Sequence, residues 1–283
     1  MPLSGQTVFA TIKSPAATSP QILLAAASMD STAFFHDASP GAGAEIAGAV
    51  AMIAAARALR SVVDELDVPI LMAIFAAEAW GRTGSRRFLS DPPKGLDKSQ
   101  IKYAVGVDGI SNTTSNIYVH VDEAMHPNDG LALQTQLVAG AGGELTAATT
   151  DRIPPNPVES VNLDPLLRGV PVAVLAGYDQ QYGSQYYHSA LDGPANAPKA
   201  TACKLATALA RSLHVLSSNS SATVSKLLAD CAYVESLMYC LLQDFGCQLA
   251  RDILGPDHDM TGPLSHYIFI RNDPASQNQW ASP

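Results

Sequence analysis

No stretch of this chain approaches the roughly 20 consecutive apolar residues of a membrane-spanning helix. Met1 is not followed by a basic segment and an apolar run, so no secretory leader is read there. Lys and Arg number 17 against 26 Asp and Glu, and they form no patch. The net charge of −9 and the pI near 5.1 speak against a phosphate backbone, so no nucleic-acid partner is expected. The four cysteines include no CxxC pair, which argues against a zinc knuckle. There is no internal repeat and no low-complexity tract. What remains is globular: 283 residues, 47% hydrophobic and 15% charged, enough for one large domain or two smaller ones and expected to be soluble as given.

Cys203, Cys231, Cys240 and Cys247 leave free core thiols and one or two disulfides equally open. Cys240 and Cys247 would stand roughly 10 Å apart on an unbroken helix, too far for a bridge. A helix break at Gly246 would change that.

Apolar runs and helical periodicities alternate along the chain. Strands are expected at Thr7–Ile12, Ile22–Ala27, Ile70–Phe75, Ile101–Val107, Ile117–Val121 and Val170–Ala176, with a possible last one at Tyr267–Ile270. Ile46, Ala49, Val50, Ile53, Ala56 and Leu59 mark an amphipathic helix. Further helices are expected near Leu131–Ala139, over Lys199–Leu216, as one long helix over Val224–Asp244, and at Gln248–Leu254. Ser14–Pro20 reads as a linker and Arg271–Pro283 as a frayed tail. The alternation predicts an α/β fold: a mixed, mainly parallel sheet with helices on both faces. Residues 1–216 would form this domain, and 217–283 a C-terminal helical segment packed on it.

Chemistry concentrates after Ile70–Phe75. This strand delivers Glu78 into a loop that continues Gly81-Arg82-Thr83-Gly84-Ser85. A carboxylate at the C-terminal end of a parallel strand stands where open α/β sheets place their ligands. By residue type alone Glu78 is equally a loop acid, Asp108 before Gly109 a turn acid and His188 a surface histidine. Tyr178, Tyr182, Tyr186 and Tyr187 read as loop packing.

The Glu78 stretch resembles the Ala-Glu-Glu-x-Gly-x-x-Gly-Ser segment of the di-zinc aminopeptidases of the M28 peptidase family, whose first Glu is the general base and second a metal ligand. The resemblance puts Glu78 at the base position and Ala79 at the ligand position. Family positions in His-x-Asp fall on Ser28-Met29-Asp30, so Ser28 replaces a ligand and Asp30 is kept. The bridging acid of Pro-Gly-Ala-Asn-Asp falls on Ala44. Asp108 and His188, in His188-Ser189-Ala190-Leu191-Asp192, match the remaining ligand positions; His36 matches none. Catalytic zinc takes about three protein ligands, and without it nothing activates the attacking water. The resemblance thus implies an aminopeptidase frame without catalysis, metal or cofactor.

A family with that frame is nicastrin, the large ectodomain subunit of γ-secretase. Asp30-Ser31-Thr32-Ala33-Phe34-Phe35 with Pro40-Gly41-Ala42, Tyr186-Tyr187-His188-Ser189 with Asp192, and Gly262-Pro263-Leu264-Ser265-His266-Tyr267 are similar to its segments. The last block is the most specific, since peptidase chemistry does not require it. The Asp and Tyr of the family's Asp-Tyr-Ile-Gly-Ser are here Gly81 and Arg82. The resemblance implies a lumenal or extracellular part of a single-pass membrane protein of the ER, Golgi, plasma membrane and endosomes. Its partners would be presenilin and the other γ-secretase subunits, and its ligands type I membrane proteins with free N-termini. Glu78, Arg82, Asp108, His188 and Asp30 would bind them, with His188 and Arg82 offsetting the repulsion between Glu78 and Asp108. Asn112 and Asn219 fit glycosylation acceptors. The alternative is a working zinc aminopeptidase or carboxypeptidase with altered ligands.

Overall fold

The computed structural model describes residues 6–13, 21–35, 38–113, 115–218, 224–255 and 260–266. His36, Asn219, the linker, the possible last strand and the tail lie outside them. Seven strands form one sheet: β1 (Val8–Ile12), β2 (Ile22–Ser28), β3 (Ile70–Phe75), β4 (Ile101–Val107), β5 (Ile117–Val121), β6 (Leu145–Ala147) and β7 (Val172–Ala176). Their order is β1-β3-β2-β4-β7-β5-β6. The central neighbours β3, β2, β4 and β7 run parallel. β1 joins β3, and β5 joins β7, in antiparallel fashion. The four central strands all fall on strands expected from the sequence: Ile22–Ala27, Ile70–Phe75, Ile101–Val107 and Val170–Ala176. β6 has no expected counterpart, being three residues long with two of them exposed and no alternating pattern to read.

The central strands are buried on both faces, which is why they read as continuous apolar runs. Leu23, Ala25, Ala27, Met72, Val105 and Leu175 face α1 (Ala47–Leu59) and α5 (Lys199–Ser218). Leu24, Ala26, Leu71, Ala73, Phe75 and Val174 face α2 (Thr83–Ser90) and α4 (Glu159–Leu163) through Phe88, Leu89 and Val161. The helical run Ala42–Glu65 is long and apolar enough to cross a membrane by length and composition, but more than half of it is buried inside the protein. It is the central core helix. α3 (Asp129–Gly140) packs on the same layer, with Gly140 so close to Val215 that an added Cβ would meet its side chain at 2.7 Å.

The single long helix expected over Val224–Asp244 is broken. Val224–Lys226 is a short 3-10 turn, and α6 begins at Cys231 and ends at Leu242. The apolar spacing continues through the break, but Asp230 caps α6 by accepting from the N–H groups of Ala232 and Tyr233. The backbone between is taken by tertiary bonds: Leu227 accepts from Arg211 Nε, and Ala229 N donates to Thr207. A second break follows α6, and α7 (Gln248–Leu254) starts anew under a Cys247 cap. Cys240 and Cys247 thereby come to a Cα separation of 5.4 Å and form a disulfide, as do Cys203 and Cys231. α6 shares the main core with α1 and α5 through Val234, Leu237 and Met238.

Arg211 fastens this corner. Its guanidinium donates to Leu227 O, Ala141 O and Ser225 O, and its side chain is 7% exposed. Lys cannot reproduce the planar fork. Arg211→Lys is expected to cost about 2–4 kcal/mol, each lost charge-assisted bond being worth about 1.5–3 kcal/mol. Urea denaturation of the two proteins measures it, and a change below 1 kcal/mol, about the worth of one neutral hydrogen bond, would contradict this account.

Candidate functional site

At the C-terminal ends of β2, β3 and β4 lies a cleft of about 360 Å³. Ser28, Asp30, Ala44, Glu78, Ala79, Arg82, Asp108 and His188 all line it, so the residues singled out from the sequence converge. Asn112 is elsewhere, exposed in a turn. Glu45, Asn156 and Tyr187 also line it and had not been singled out for it.

Asp30 ends the β2 arm of the site. Its carboxylate accepts from the backbone N–H groups of Glu78 (3.0 Å) and Ala79 (3.2 Å), tying the loop after β3 to β2. Burial raises its pKa against these bonds. Glu78 in turn accepts from Ser85 N (2.7 Å) and Ser85 Oγ (2.8 Å). Ser85 lies in the first turn of α2, where unpaired N–H groups and the helix dipole favour a negative charge. Gly84 makes the approach possible: a Cβ there would stand 1.9 Å from Ala76 O. Burial nevertheless lifts Glu78 to about 7 despite those bonds, with Asp30 adding to the rise and Arg82 opposing it.

The expected compensation of Glu78 is therefore corrected in part. Ser85 supplies its hydrogen bonds. Arg82 acts on it only at a distance, since its guanidinium pairs with Glu159. Asp30 rather than Asp108 is the acid that raises it. His188 pairs elsewhere: its Nε2 lies 3.1 Å from Glu45 Oε1. The ring is stacked on Tyr187, centroids 3.8 Å apart and planes 19° apart. Asp108 accepts from the Tyr178 hydroxyl at 2.6 Å, and its burial raises it. Asp192, fully buried, accepts from Gly43 N and Ala44 N and so holds the turn that carries Glu45. That turn, Ala42–Ile46, is a π-helical one, a feature that often marks functional positions.

Burial raises Glu45 well above the usual carboxylate range, with Asp192, Asp108 and Asp30 adding to it. Burial lowers His188 against the opposing pull of Asp108, Asp192 and Asp30. The tyrosines expected only to pack a loop do more: Tyr178 orients Asp108, Tyr187 the His188 ring, and Tyr182 bonds Ile110 O. Three non-glycine residues at or beside the cleft, Ala77 (φ 63°), Arg82 (φ 57°) and His188 (φ 52°), adopt the left-handed conformation. Such strain collects at functional sites.

This donor set does not fit zinc. His188 Nε2 is spent on Glu45 and Asp108 on Tyr178. Among the described residues no group of three or more His, Cys, Asp and Glu could hold a metal ion. The set lines the cleft with carboxyl groups whose pKa values burial has raised, and a cationic group placed among them would favour their ionised forms.

Residues 21–233 match the family model of the nicastrin large lobe. Nicastrin of Arabidopsis thaliana is 27% identical over 98% of the chain and 45% of its own length. Human nicastrin is 27% identical over 88% of the chain and 40% of its own. The chain thus spans somewhat under half the length of these relatives. Among solved structures, that of the gamma-secretase component nicastrin superimposes with a TM-score of 0.74 at 19% identity, over 95% of this chain and 52% of that one. A zinc aminopeptidase from Bacillus subtilis gives 0.60 at 18% identity, over 80% and 53%.

One pH dependence follows from Glu78. Its folded carboxyl titrates near 7 against an ordinary value of 4.5. The folded state therefore holds the proton longer, and the stabilisation is present at low pH and lost as pH rises through about 7. Glu78→Gln should remove that fall from the stability curve measured by urea denaturation between about pH 4 and 8. The same slope in both proteins would exclude Glu78 as its source.

Proposed function

The chain belongs to the nicastrin family, and from that premise we propose that it is the non-catalytic, substrate-receiving lobe of a γ-secretase. Its cleft would accept the free N-terminus of a type I membrane protein. The observation that carries this reading is the composition of the cleft. Asp30, Glu45, Glu78 and Asp108 face it; Arg82 opposes them but is already paired with Glu159, and burial pushes His188 toward its neutral form. An α-ammonium brings the missing positive charge and three N–H donors. Among the positions where the related peptidases hold metal, Ala44 and Ala79 offer no side-chain donor and Ser28 turns its hydroxyl toward Asp30.

Presenilin and the remaining γ-secretase subunits are the proposed partners, and a lumenal or extracellular face the proposed location. Asn112, exposed in its turn, is a proposed glycosylation position. In this role the domain binds a chain end and leaves peptide-bond cleavage to another subunit.

A working zinc peptidase is the second reading, favoured by the retention of Glu78, Asp108 and His188 around one cleft. Elemental analysis of the purified chain separates the two: about two zinc ions per chain, the number in a two-metal peptidase site, would support the peptidase. The receptor reading expects less than one tenth of that. It also expects a peptide with a free N-terminus to bind at least about tenfold more tightly than its acetylated form, a difference of about 1.4 kcal/mol. Calorimetric titration measures this, and equal affinities would overturn the receptor reading.

A further inference from the structure

We propose that Glu45, held by His188, is the group that receives the ligand's primary ammonium, while Glu78 chiefly builds the wall beside it. This rests on the reading of the cleft as a receptor for a chain end. The four other acids at this end of the sheet are already provided with donors. Asp30 has two backbone N–H groups, Glu78 has the N–H and hydroxyl of Ser85, Asp192 has two backbone N–H groups, and Asp108 has Tyr178.

Glu45 differs. Its side chain is only 10% exposed, Oε1 has His188, and Oε2 is buried with no hydrogen-bond partner. A buried carboxyl oxygen without a hydrogen-bond partner is costly whether the group is ionised or protonated, and folded proteins rarely keep one without a reason. The wall behind it is shaped to admit it: at Gly41 (φ 54°) a Cβ would stand 2.6 Å from Oε2.

The partner is also positioned at a cost. His188 takes a left-handed backbone (φ 52°), and the stack on Tyr187 fixes the ring beside Glu45. A metal ion is the poorer occupant, because no third His, Cys, Asp or Glu joins the pair in a metal-holding group among the described residues. An ammonium needs no fixed coordination number. It donates to whichever Glu45 oxygen a turn of the carboxyl brings to the cleft, and so gives the carboxyl the second partner it lacks. An α-ammonium and a lysine ε-ammonium share this chemistry, so the test must separate them.

Three peptides are titrated calorimetrically into the 283-residue chain: one lysine-free with a free N-terminus, its acetylated form, and an acetylated form carrying one internal lysine. Wild type, Glu45→Gln, Glu78→Gln and His188→Asn are compared, with thermal melts as a check on folding. In Glu45→Gln the roughly tenfold preference for the free N-terminus should disappear, equivalent to about 1.4 kcal/mol. In Glu78→Gln it should shrink while remaining above about threefold. A preference unchanged in Glu45→Gln, or abolished only in Glu78→Gln, overturns the assignment and leaves the receptor reading standing. No preference in wild type overturns the receptor reading itself. Glu45-dependent binding of the lysine peptide upholds the ammonium site and moves its ligand from a chain end to a side chain. Should Glu45→Gln fail to fold, His188→Asn carries the test, and a full preference in that variant overturns the proposal.

Discussion

Five carboxyl groups, those of Asp30, Glu45, Glu78, Asp108 and Asp192, are gathered at one end of the sheet. Burying an ionised carboxyl is costly unless it is hydrogen-bonded or paired. Most of the local architecture is a supply of donors. Asp30 draws on the loop after β3, Glu78 on the first turn of α2, and Asp192 on the turn before α1. The bonds of Asp30 and Asp192 also join segments distant in sequence, so the charges that burden the site are among its cross-links. The price appears in the raised pKa values of all five groups.

The same demand accounts for the backbone irregularities. To aim Ser85 N at Glu78, the chain must turn sharply between β3 and α2, and it does so through left-handed Ala77, Gly81 and Arg82. Gly84 then passes against Ala76 O, where no side chain fits. On the opposite wall, the π-helical turn and left-handed Gly41 place Glu45 inward beside Ala44. Regular strand and helix geometry would leave those carboxyls pointing elsewhere.

The sheet was legible in the sequence because its central strands are apolar on both faces and bounded by turns. Ile22–Ala27 and Ile101–Val107 show it. Leu145–Ala147 was not, since a three-residue edge strand carries no periodicity. The helix break at 227–230 escaped because apolar spacing runs through it, while the bonds that stop the helix come from Arg211 and Thr207 on α5. The convergence of Asp30, Glu78, Asp108 and His188 was readable from motif resemblance. The pairing of His188 with Glu45 was not: Glu45 directly follows Ala44, but only the π-helical turn decides that its carboxyl faces the histidine 143 residues away.

The block Gly262-Pro263-Leu264-Ser265-His266, which peptidase chemistry does not require, has a physical place in this scheme. Ser31 N donates to His266 O, and His266 N to Ser39 O, so residue 266 is laced between Ser31 and Ser39. Ser39 N reaches Ser265 Oγ, and the Ser31 and Ser39 hydroxyls share a 2.7 Å bond. His266 Nε2 lies 3.2 Å from Leu241 O, at the end of α6. This strap therefore connects the C-terminal helices to the segment that feeds directly into Gly41 and Glu45. Ser31 is also the residue whose side chain crowds the space at Gly41. A wall that must hold a left-handed glycine and a carboxyl short of donors needs support from behind. The chain supplies it with backbone bonds from its far end, which place few demands on side chains and tie the cleft to the packing of α6.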